Sequence, residues 1–349
     1  MIKNTTTHVH GKGHLKMLNI AVIGAGTIGK IHAANVAASD QARLTHVCDL
    51  NHKAAIAVAS EHESKAEQGL EWLVEGAVDG IIIASSTASH GDVAKACVPA
   101  KIPFLCEKPL AFDQATGLEI LKAARSGGLV AGMAFNRRFD RQYAGMKAAI
   151  ADGSIGDIET IQFTSRTASP PSVEFLKTSG GLFGEKGAHF YDLARWMTGE
   201  HPTEIVAMGS SLIDPEFAKA GETDTAMITM RMPSGILCQF SFSWRAAYGQ
   251  DERIEVHGSW GMLLTEQAPI ETFHRYSKSG SARGGLLPGW FERFEDSYKI
   301  ELDHFLDAVQ TGKPGNLPSL VDGLAAQQIA DAAKKSVHEG TKISLEPMG

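Results

Sequence analysis

The stretch Gly24-Ala25-Gly26-Thr27-Ile28-Gly29 follows an apolar run, Leu18–Ile23, and opens a segment with helical character, Ile28–Ala38. Between a strand and a helix, a GxGxxG turn is the context in which this motif binds a dinucleotide. The first glycine permits the tight turn, the second lets the backbone approach a pyrophosphate, and the third lets the helix pack close to the strand. Free N–H groups at the helix N-terminus favour the phosphates. We therefore expect a dinucleotide cofactor to be bound by Gly24, Ala25, Gly26, Thr27, Ile28 and Gly29.

The choice between NAD and NADP rests on Asp49, which ends the next apolar run, Leu44–Cys48, 20 residues after Gly29. An acidic residue at this spacing accepts hydrogen bonds from the hydroxyls of the adenosine ribose. Its charge repels a 2′-phosphate, and the next residues, Leu50-Asn51-His52, supply no arginine to offset that repulsion. The sequence therefore predicts NAD as the cofactor.

Short apolar runs alternate with helical segments up to Asn136. Strands that are apolar on both faces are typical of a parallel sheet covered by helices on both sides. We expect residues 17–136 to form an α/β domain, a Rossmann-type doubly wound parallel sheet. The predicted strands are Leu18–Ile23, Leu44–Cys48, Gly80–Ala84, Phe104–Cys106 and Leu129–Phe135. The predicted helices are Ile28–Ala38, Ala54–Ser60, Asp92–Val98 and Ala115–Ala124.

Residues 137–349 have a different pattern, in which apolar and polar residues alternate with the period of a half-buried strand. We expect an α+β domain with a large, mostly antiparallel open sheet, used for substrate binding and oligomerisation. The turn residues Pro233-Ser234-Gly235 predict a hairpin within it. The predicted strands lie within Asp157–Arg166, Glu204–Ile213, Thr223–Met232, Ile236–Trp244 and Arg253–Val256. The predicted helices are Gln142–Ala151, His189–Met197, Tyr298–Gln310 and Leu320–Val337.

Composition argues against several classes of partner. The net charge of −7 and the absence of a Lys/Arg run argue against nucleic acid and anionic membrane. The four cysteines form no CxxC pair and have no histidine cluster beside them, so we expect free thiols, no metal site and a reducing cytoplasm. No apolar stretch approaches the length of a membrane span. Residues 1–16 lack the apolar region of a secretory signal and are predicted to be a disordered leader.

A second motif, Glu107-Lys108-Pro109, follows directly after the predicted strand Phe104–Cys106. The carboxyl ends of parallel strands line the crevice in which such sheets bind ligands. From the residues alone, Lys108 is either a surface lysine in a turn or a catalytic cation.

The combination of these motifs resembles one known family. GAGTIG at 24–29, CEKPL at 106–110, AFNRRFD at 134–140, SGGLF at 179–183, GAHFYDLARW at 187–196 and RAAYGQDERIEVHGSWGM at 245–262 resemble the Gfo/Idh/MocA oxidoreductases, in particular their inositol 2-dehydrogenase branch. The resemblance runs from about Met17 to Ser344. It implies an NAD-dependent dehydrogenase that oxidises a secondary hydroxyl of a cyclic polyol or sugar to a ketone, assembled as a dimer or tetramer.

The resemblance also implies catalytic roles. The EKP lysine of the family is catalytic and precedes a cis proline, which carries over to Lys108 and Pro109. His189 matches the family's catalytic histidine, and an imidazole is a suitable base for the hydroxyl proton near neutral pH. Glu185 stands four residues earlier, where inositol dehydrogenases usually carry Asp. In a helix those two positions share a face, so we expect Glu185 to contact and orient His189. Because its side chain is longer and Lys186 lies beside it, the preferred substrate is expected to differ from that of the usual inositol enzymes, with an inositol still the first candidate and a pyranose the second.

Further contacts follow from the same resemblance. Ser85, Thr87 and His90 match positions near the nicotinamide half of the cofactor, although Ser85 or Thr87 could equally cap the following helix. Glu107 is expected beside the cofactor together with Lys108. The substrate is expected to meet Arg137, Arg138 and Asp192, with one arginine alternatively supporting the domain boundary.

Two other functions remain open for this fold. One is an NAD-dependent glycosidase, which oxidises its substrate transiently and returns the hydride. The other is a non-enzymatic dinucleotide sensor. Because a sensor has no need of a proton-transfer pair, Lys108 and His189 argue against it.

Overall fold

The computed structural model describes residues 16–271 and 273–348. The predicted leader therefore lies outside the described residues, except for Lys16, whose ammonium pairs with Asp79 at 2.5 Å.

The first half of the chain forms a parallel six-stranded sheet. Its strands are β1 Leu18–Ile23, β2 Ala42–Cys48, β3 Lys65–Glu67, β4 Gly80–Ile83, β5 Phe104–Cys106 and β6 Ala131–Met133. Its helices are α1 Thr27–Ala37, α2 His52–Glu61, α3 Thr87–Cys97 and α4 Gln114–Ser126. In the spatial order β3-β2-β1-β4-β5-β6, strands β2 and β3 lie on one side of β1 and strands β4 to β6 on the other, so the direction of winding reverses beside β1. This arrangement confirms the predicted doubly wound fold, with β3 as an edge strand that the sequence pattern did not indicate.

Burial explains why the central strands β1, β4 and β5 are almost entirely apolar. Ala21 and Ile23 of β1 pack into the core on one face of the sheet, and Ile20 and Val22 pack into the core on the other. Since both faces are covered, neither face of a central strand can be polar.

The second half forms a mixed seven-stranded sheet. Its strands and those of a separate hairpin are β7 Ile158–Arg166, β8 Glu204–Ser210, β9 Thr225–Arg231, β10 Leu237–Ser243, β11 Asp251–Gly258, β12 Gly261–Leu264, β13 His274–Ser277, β14 Gly280–Arg283 and β15 Ile343–Ser344. The order is β12-β11-β7-β10-β9-β8-β15, and the pairing of β7 with β10 is parallel whereas the others are antiparallel. The predicted β9–β10 hairpin is confirmed, with Gly235 at φ +99° in its turn.

Helices cover one face of this sheet. They are α5 Arg141–Ala151, α6 Val173–Ser179, α7 Ala188–Thr198, α8 Pro215–Lys219, α9 Trp290–Thr311 and α10 Leu320–Glu339, with a 3₁₀ segment Asn136–Phe139 and a π-helical segment Leu182–Gly187. The sequence pattern predicted that α9 begins at Tyr298, but the helix begins eight residues earlier, at Trp290. The division of the chain at Asn136 stays a prediction, because α9 and α10 follow it and yet pack against both sheets.

Candidate active site

The glycine turn has the geometry that a dinucleotide requires. Gly24 has φ +114°, and a Cβ there would lie 2.3 Å from the carbonyl oxygen of Ala84. At Gly29 a Cβ would lie 1.9 Å from the carbonyl oxygen of Gly24. The first turn of α1 can therefore pack against the glycine turn only if residue 29 has no side chain. At Gly26 a Cβ would meet nothing within 4 Å. The open side of the turn is therefore the side where a pyrophosphate fits, at the N-terminus of α1.

Asp49 is fixed beside this turn at the end of β2. Its carboxylate accepts one hydrogen bond from the backbone N–H of Ala25 and another from that of Asn51, each at 2.8 Å. The half-buried carboxylate is thus held next to the glycine turn, where a bound dinucleotide would place its adenosine ribose.

Replacing Asp49 with serine is expected to raise the ratio of kcat/KM with NADP to that with NAD by at least about 10-fold, equivalent to roughly 1.4 kcal/mol of removed repulsion. Steady-state rates with each cofactor measure the ratio. Asp49→Asn is the control, because it removes the charge and keeps an acceptor for Ala25. A shift in the serine variant alone would assign the effect to distortion of the turn, and better use of NADP by the unchanged protein would refute the role of Asp49.

Lys108 and Glu185 meet at the carboxyl edge of the parallel sheet. Lys108 follows β5, and the Lys108–Pro109 bond is cis, as expected. Its ammonium lies 2.5 Å from Oε2 of Glu185 and 3.3 Å from the carbonyl oxygen of the same residue. Glu185 is presented by the π-helical segment Leu182–Gly187, and such segments are frequent at functional sites. Two residues 77 positions apart therefore form one ion pair.

The expected contact between Glu185 and His189 is wrong. Among the described residues they share no hydrogen bond, and Nδ1 of His189 is buried without a partner. The prediction assumed a regular helix, whereas the π-helical segment ends at Gly187, immediately before α7, which carries His189. The carboxylate consequently pairs with Lys108, so Glu185 can position the ammonium but does not hold the imidazole.

His189 lies in a buried and strongly cationic environment. Its side chain packs edge-on against Phe135, with 6.1 Å between the ring centroids. Burial, followed by the charges of Arg137, Lys108 and Lys186, holds the pKa of His189 well below its ordinary value of 6.5. The imidazole is therefore neutral near pH 7, the state in which it can accept a proton.

The two arginines and Asp192 bind partners within the protein. Arg138 forms a two-pronged ion pair with Asp192, at 2.8 and 2.5 Å, and also lies 3.2 Å from Asp322 of α10. Asp192 is fully buried. Arg138 therefore matches the alternative role of a structural support, because this pair ties α7 and α10 to the segment after β6, and a contact of Asp192 with the substrate stays a prediction. Arg137 instead lies near His189, with its guanidinium 3.4 Å from each oxygen of Glu252.

His90 and Glu107, which were predicted to contact the cofactor, both have partners within the protein. The ring nitrogens of His90 lie 2.7 Å from the carbonyl oxygen of Pro109 and 3.0 Å from that of Ser85, so the buried imidazole braces the turn that carries Lys108. Oε1 of Glu107 lies 3.1 Å from Nε2 of His32 in α1. Their contact with the cofactor stays a prediction.

Ser85 and Thr87 keep their predicted place at the end of β4. The N-cap residue of α3 is Ser86, and no side chain caps this helix. The capping alternative for Ser85 or Thr87 is therefore wrong, and their contact with the cofactor stays a prediction.

Sequence reasoning missed a buried carboxylate, Glu301, in α9. It is fully buried, and neither of its oxygens has a hydrogen-bond partner within the described part of the chain. Burial, and secondarily the charge of Glu107, raises the pKa of Glu301 well above its ordinary value of 4.5. A stability effect follows, because the unfolded chain releases this proton at a lower pH than the folded protein does.

The contribution of protonated Glu301 to stability is complete below pH 4.5 and declines as the pH rises towards the higher folded pKa. Glu301→Met should raise the free energy of unfolding by about 1–3 kcal/mol, the usual cost of a buried unpaired polar group. This gain should increase between pH 5 and pH 8. Thermal unfolding at both pH values measures it, and Glu301→Gln is the control that removes the titration but keeps a polar amide. An equal or lower midpoint in the methionine variant at both pH values would contradict the assignment.

Across residues 16–271 and 273–348, no three His, Cys, Asp or Glu side chains are grouped so that they could hold a metal ion. None of the helices described above is long and apolar enough to cross a membrane.

Comparison with known proteins places this geometry in a family. The Gfo/Idh/MocA profile described as "Oxidoreductase family, NAD-binding Rossmann fold" matches residues 18–135, and its companion, "Oxidoreductase family, C-terminal alpha/beta domain", matches residues 147–345. The myo-inositol 2-dehydrogenase of Thermotoga maritima is 36% identical over 337 residues, which cover 94% of this chain and 99% of that protein. The inositol 2-dehydrogenase of Rhizobium meliloti is 34% identical over 330 residues, with coverage of 94% and 99%.

The likeness extends to three dimensions. The crystal structure of a myo-inositol dehydrogenase from Corynebacterium glutamicum superposes with a TM-score of 0.89 at 30% sequence identity, covering 95% of this chain and all of that one. The two profiles together span nearly the whole chain, and each of the two relatives does so by itself. It therefore belongs to the Gfo/Idh/MocA family of NAD-dependent oxidoreductases.

Proposed function

We propose that this enzyme oxidises a secondary hydroxyl of a cyclic polyol or sugar ring, with an inositol as the first candidate and a pyranose as the second. The observation that carries the proposal is the convergence of the Lys108–Glu185 ion pair and the neutral His189 at the edge of the sheet that carries the glycine turn. The relatives named as inositol dehydrogenases support the substrate class.

The residues divide the reaction between them. Bound NAD supplies the acceptor for the hydride that leaves the ring carbon. Neutral His189 accepts the proton of the hydroxyl group, so that its imidazole becomes a cation. The ammonium of Lys108 stabilises the negative charge that develops on the oxygen, and Glu185 keeps that ammonium in place. The products are a ring ketone, NADH and one proton.

A panel of substrates tests the proposal. Incubation with NAD and inositol isomers, aldoses, uronic acids and anhydrosugars should give NADH with at least one cyclic polyol or sugar. Turnover on linear hydroxy acids alone would refute the substrate class. Cleavage of aryl glycosides to the phenol and the free sugar without net NADH would favour the glycosidase, which the dehydrogenase relatives do not support. A sensor would turn over nothing.

We further propose that the enzyme is a homo-oligomer joined through the uncovered face of the seven-stranded sheet. Large apolar side chains are exposed there on neighbouring strands, and Met208 of β8 stands opposite Met227 of β9. The exposed fractions of these two side chains are 77% and 48%. An apolar patch of this kind marks an interface between proteins, and a second copy of the same face supplies a matching surface.

Charge on neighbouring strands of this face should break the assembly. The double variant Met208→Lys and Met227→Lys is expected to lower the mass measured by light scattering by at least half, because like charges would face each other across the interface. The same changes at Val74 and Leu50, which are exposed on the other domain, are the control. An unchanged mass in the sheet variant would move the interface elsewhere.

We also assign the enzyme to the cytoplasm. Cys48, Cys97, Cys106 and Cys238 are all free and buried, which suits a reducing compartment.

A further inference from the structure

We propose that the ring oxidised at this site carries a carboxylate, and that Lys186 binds it. The inference rests on the proposed function and narrows its substrate class to uronate-like rings. It starts from a buried ammonium that the oxidation mechanism does not use.

The side chain of Lys186 extends from the π-helical segment, and its ammonium is held at the end of β7. Its ammonium lies 3.2 Å from Oγ of Ser165 and 2.5 Å from Oγ1 of Thr167, and 4.5 Å from the ring centroid of Trp244. The residue is only 6% exposed. Hydroxyls and a ring face can orient a buried ammonium, but they do not neutralise its charge.

The charges around the site are unbalanced. Lys108 pairs with Glu185, and Arg137 pairs with Glu252. Within the part of the chain that the structure describes, no carboxylate lies within 4 Å of the Lys186 ammonium. The three cations Lys108, Arg137 and Lys186 thus face two carboxylates, those of Glu185 and Glu252. Because a buried charge is costly without a partner, an anion for Lys186 is missing.

The missing anion belongs to the reaction site. Lys186 follows Glu185 directly in the chain, and its charge is near enough to His189 to help lower the pKa of that imidazole. Beside Lys186, Nε1 of Trp244 is buried and has no acceptor among the described residues. A carboxylate on the ring has two oxygens, one for the ammonium and one for the indole N–H.

Binding should therefore be coupled to a proton. Burial lowers the pKa of Lys186 to about 7, with Glu252 and Glu185 opposing the shift and Arg137 adding to it. At pH 8 the free enzyme consequently holds this amine mostly neutral. A bound carboxylate favours the charged form, so binding at pH 8 should take up about one proton, and binding at pH 6 should take up almost none.

Rates with two matched rings test the substrate class. D-Glucuronate and D-glucose differ only in the group at C5, and kcat/KM is measured for each with NAD. We expect a preference for glucuronate of at least about 10-fold. Lys186→Met should remove most of this preference, and Trp244→Phe should remove part of it. Lys147→Met is the control, because Lys147 also lies over a tryptophan, at 6.0 Å from the centroid of Trp196, but away from the site.

A binding experiment separates this inference from the proposed function. Glucuronate is titrated at pH 8 into enzyme holding NADH, by calorimetry in two buffers of different ionisation enthalpy. Binding with proton uptake that is lost in Lys186→Met supports the inference even if no ring is oxidised. Oxidation of neutral rings without a preference that depends on Lys186 would overturn it and leave the proposed function standing. Failure of glucuronate to bind, or binding that Lys186→Met does not alter, would also overturn it.

Discussion

Lys108→Ala is expected to lower kcat by about 10²–10⁴, the usual effect of removing a group that stabilises charge in the transition state. The ammonium lies 2.5 Å from the carboxylate of Glu185, and its side chain is only 9% exposed. Water would replace it poorly at such a site. Steady-state turnover measures the loss, and an unchanged thermal unfolding profile shows that the fold survives.

Comparison variants decide whether the effect belongs to the site. Lys95→Ala is the matched control, since Lys95 forms an exposed ion pair with Glu119 at 2.9 Å. If Glu185 positions Lys108, the single variant Glu185→Gln should have a lower kcat than the unmodified enzyme. Adding Glu185→Gln to Lys108→Ala should lower kcat little further. Glu185→Asp should be milder than Glu185→Gln, because it keeps the charge. Near-normal turnover of Lys108→Ala would show that its family role was carried over wrongly.

The parts of this fold that the sequence predicted well are determined by residues close to one another in the chain. Gly24 and Gly29 are required by a positive φ and by a close approach of backbone, and both conditions arise within six residues. Strands β1 and β5 are almost entirely apolar and were predicted to the residue, whereas the short polar edge strand β3 was missed. Asp49 follows from a fixed spacing and was found in its expected place beside the turn.

The parts that were missed depend on contacts between distant segments. The partner of Glu185 is 77 residues away and replaces the expected local contact with His189. The ion pair of Arg138 with Asp192 was not expected, and Asp322, more than a hundred residues further on, completes an internal network. No periodicity within one segment contains that information.

Glu301 is a different case, because the sequence held a usable signal. Phe294, Tyr298 and Phe305 are buried in α9 at helical spacing, and Glu301 falls on the same stripe. A charged residue on the apolar face of a helix indicates a buried carboxylate. The predicted helix began only at Tyr298, and the shortened stripe hid the pattern.

His189→Ala is expected to lower kcat by about 10²–10⁴, because the hydroxyl proton then loses its positioned acceptor. The pH profile gives a further test. The histidine must be neutral to accept a proton, and burial together with Arg137, Lys108 and Lys186 lowers its pKa well below 6.5. The loss of kcat that arises from protonation of His189 should therefore begin only well below pH 6.5, and turnover should not depend on this group between pH 6.5 and pH 8.

The variants separate the titrating groups. His257→Ala is the control, since His257 is 53% exposed on β11 and pairs with Glu159 at the surface. The acid limb of the profile should be absent in His189→Ala, whose residual rate no longer requires a neutral imidazole. A limb near pH 7 that persists in His189→Ala and disappears in Lys186→Met belongs to Lys186, whose pKa is about 7. A side chain that is absent cannot titrate. An acid limb that is identical in the unmodified enzyme and in His189→Ala would therefore show that another group accepts the proton.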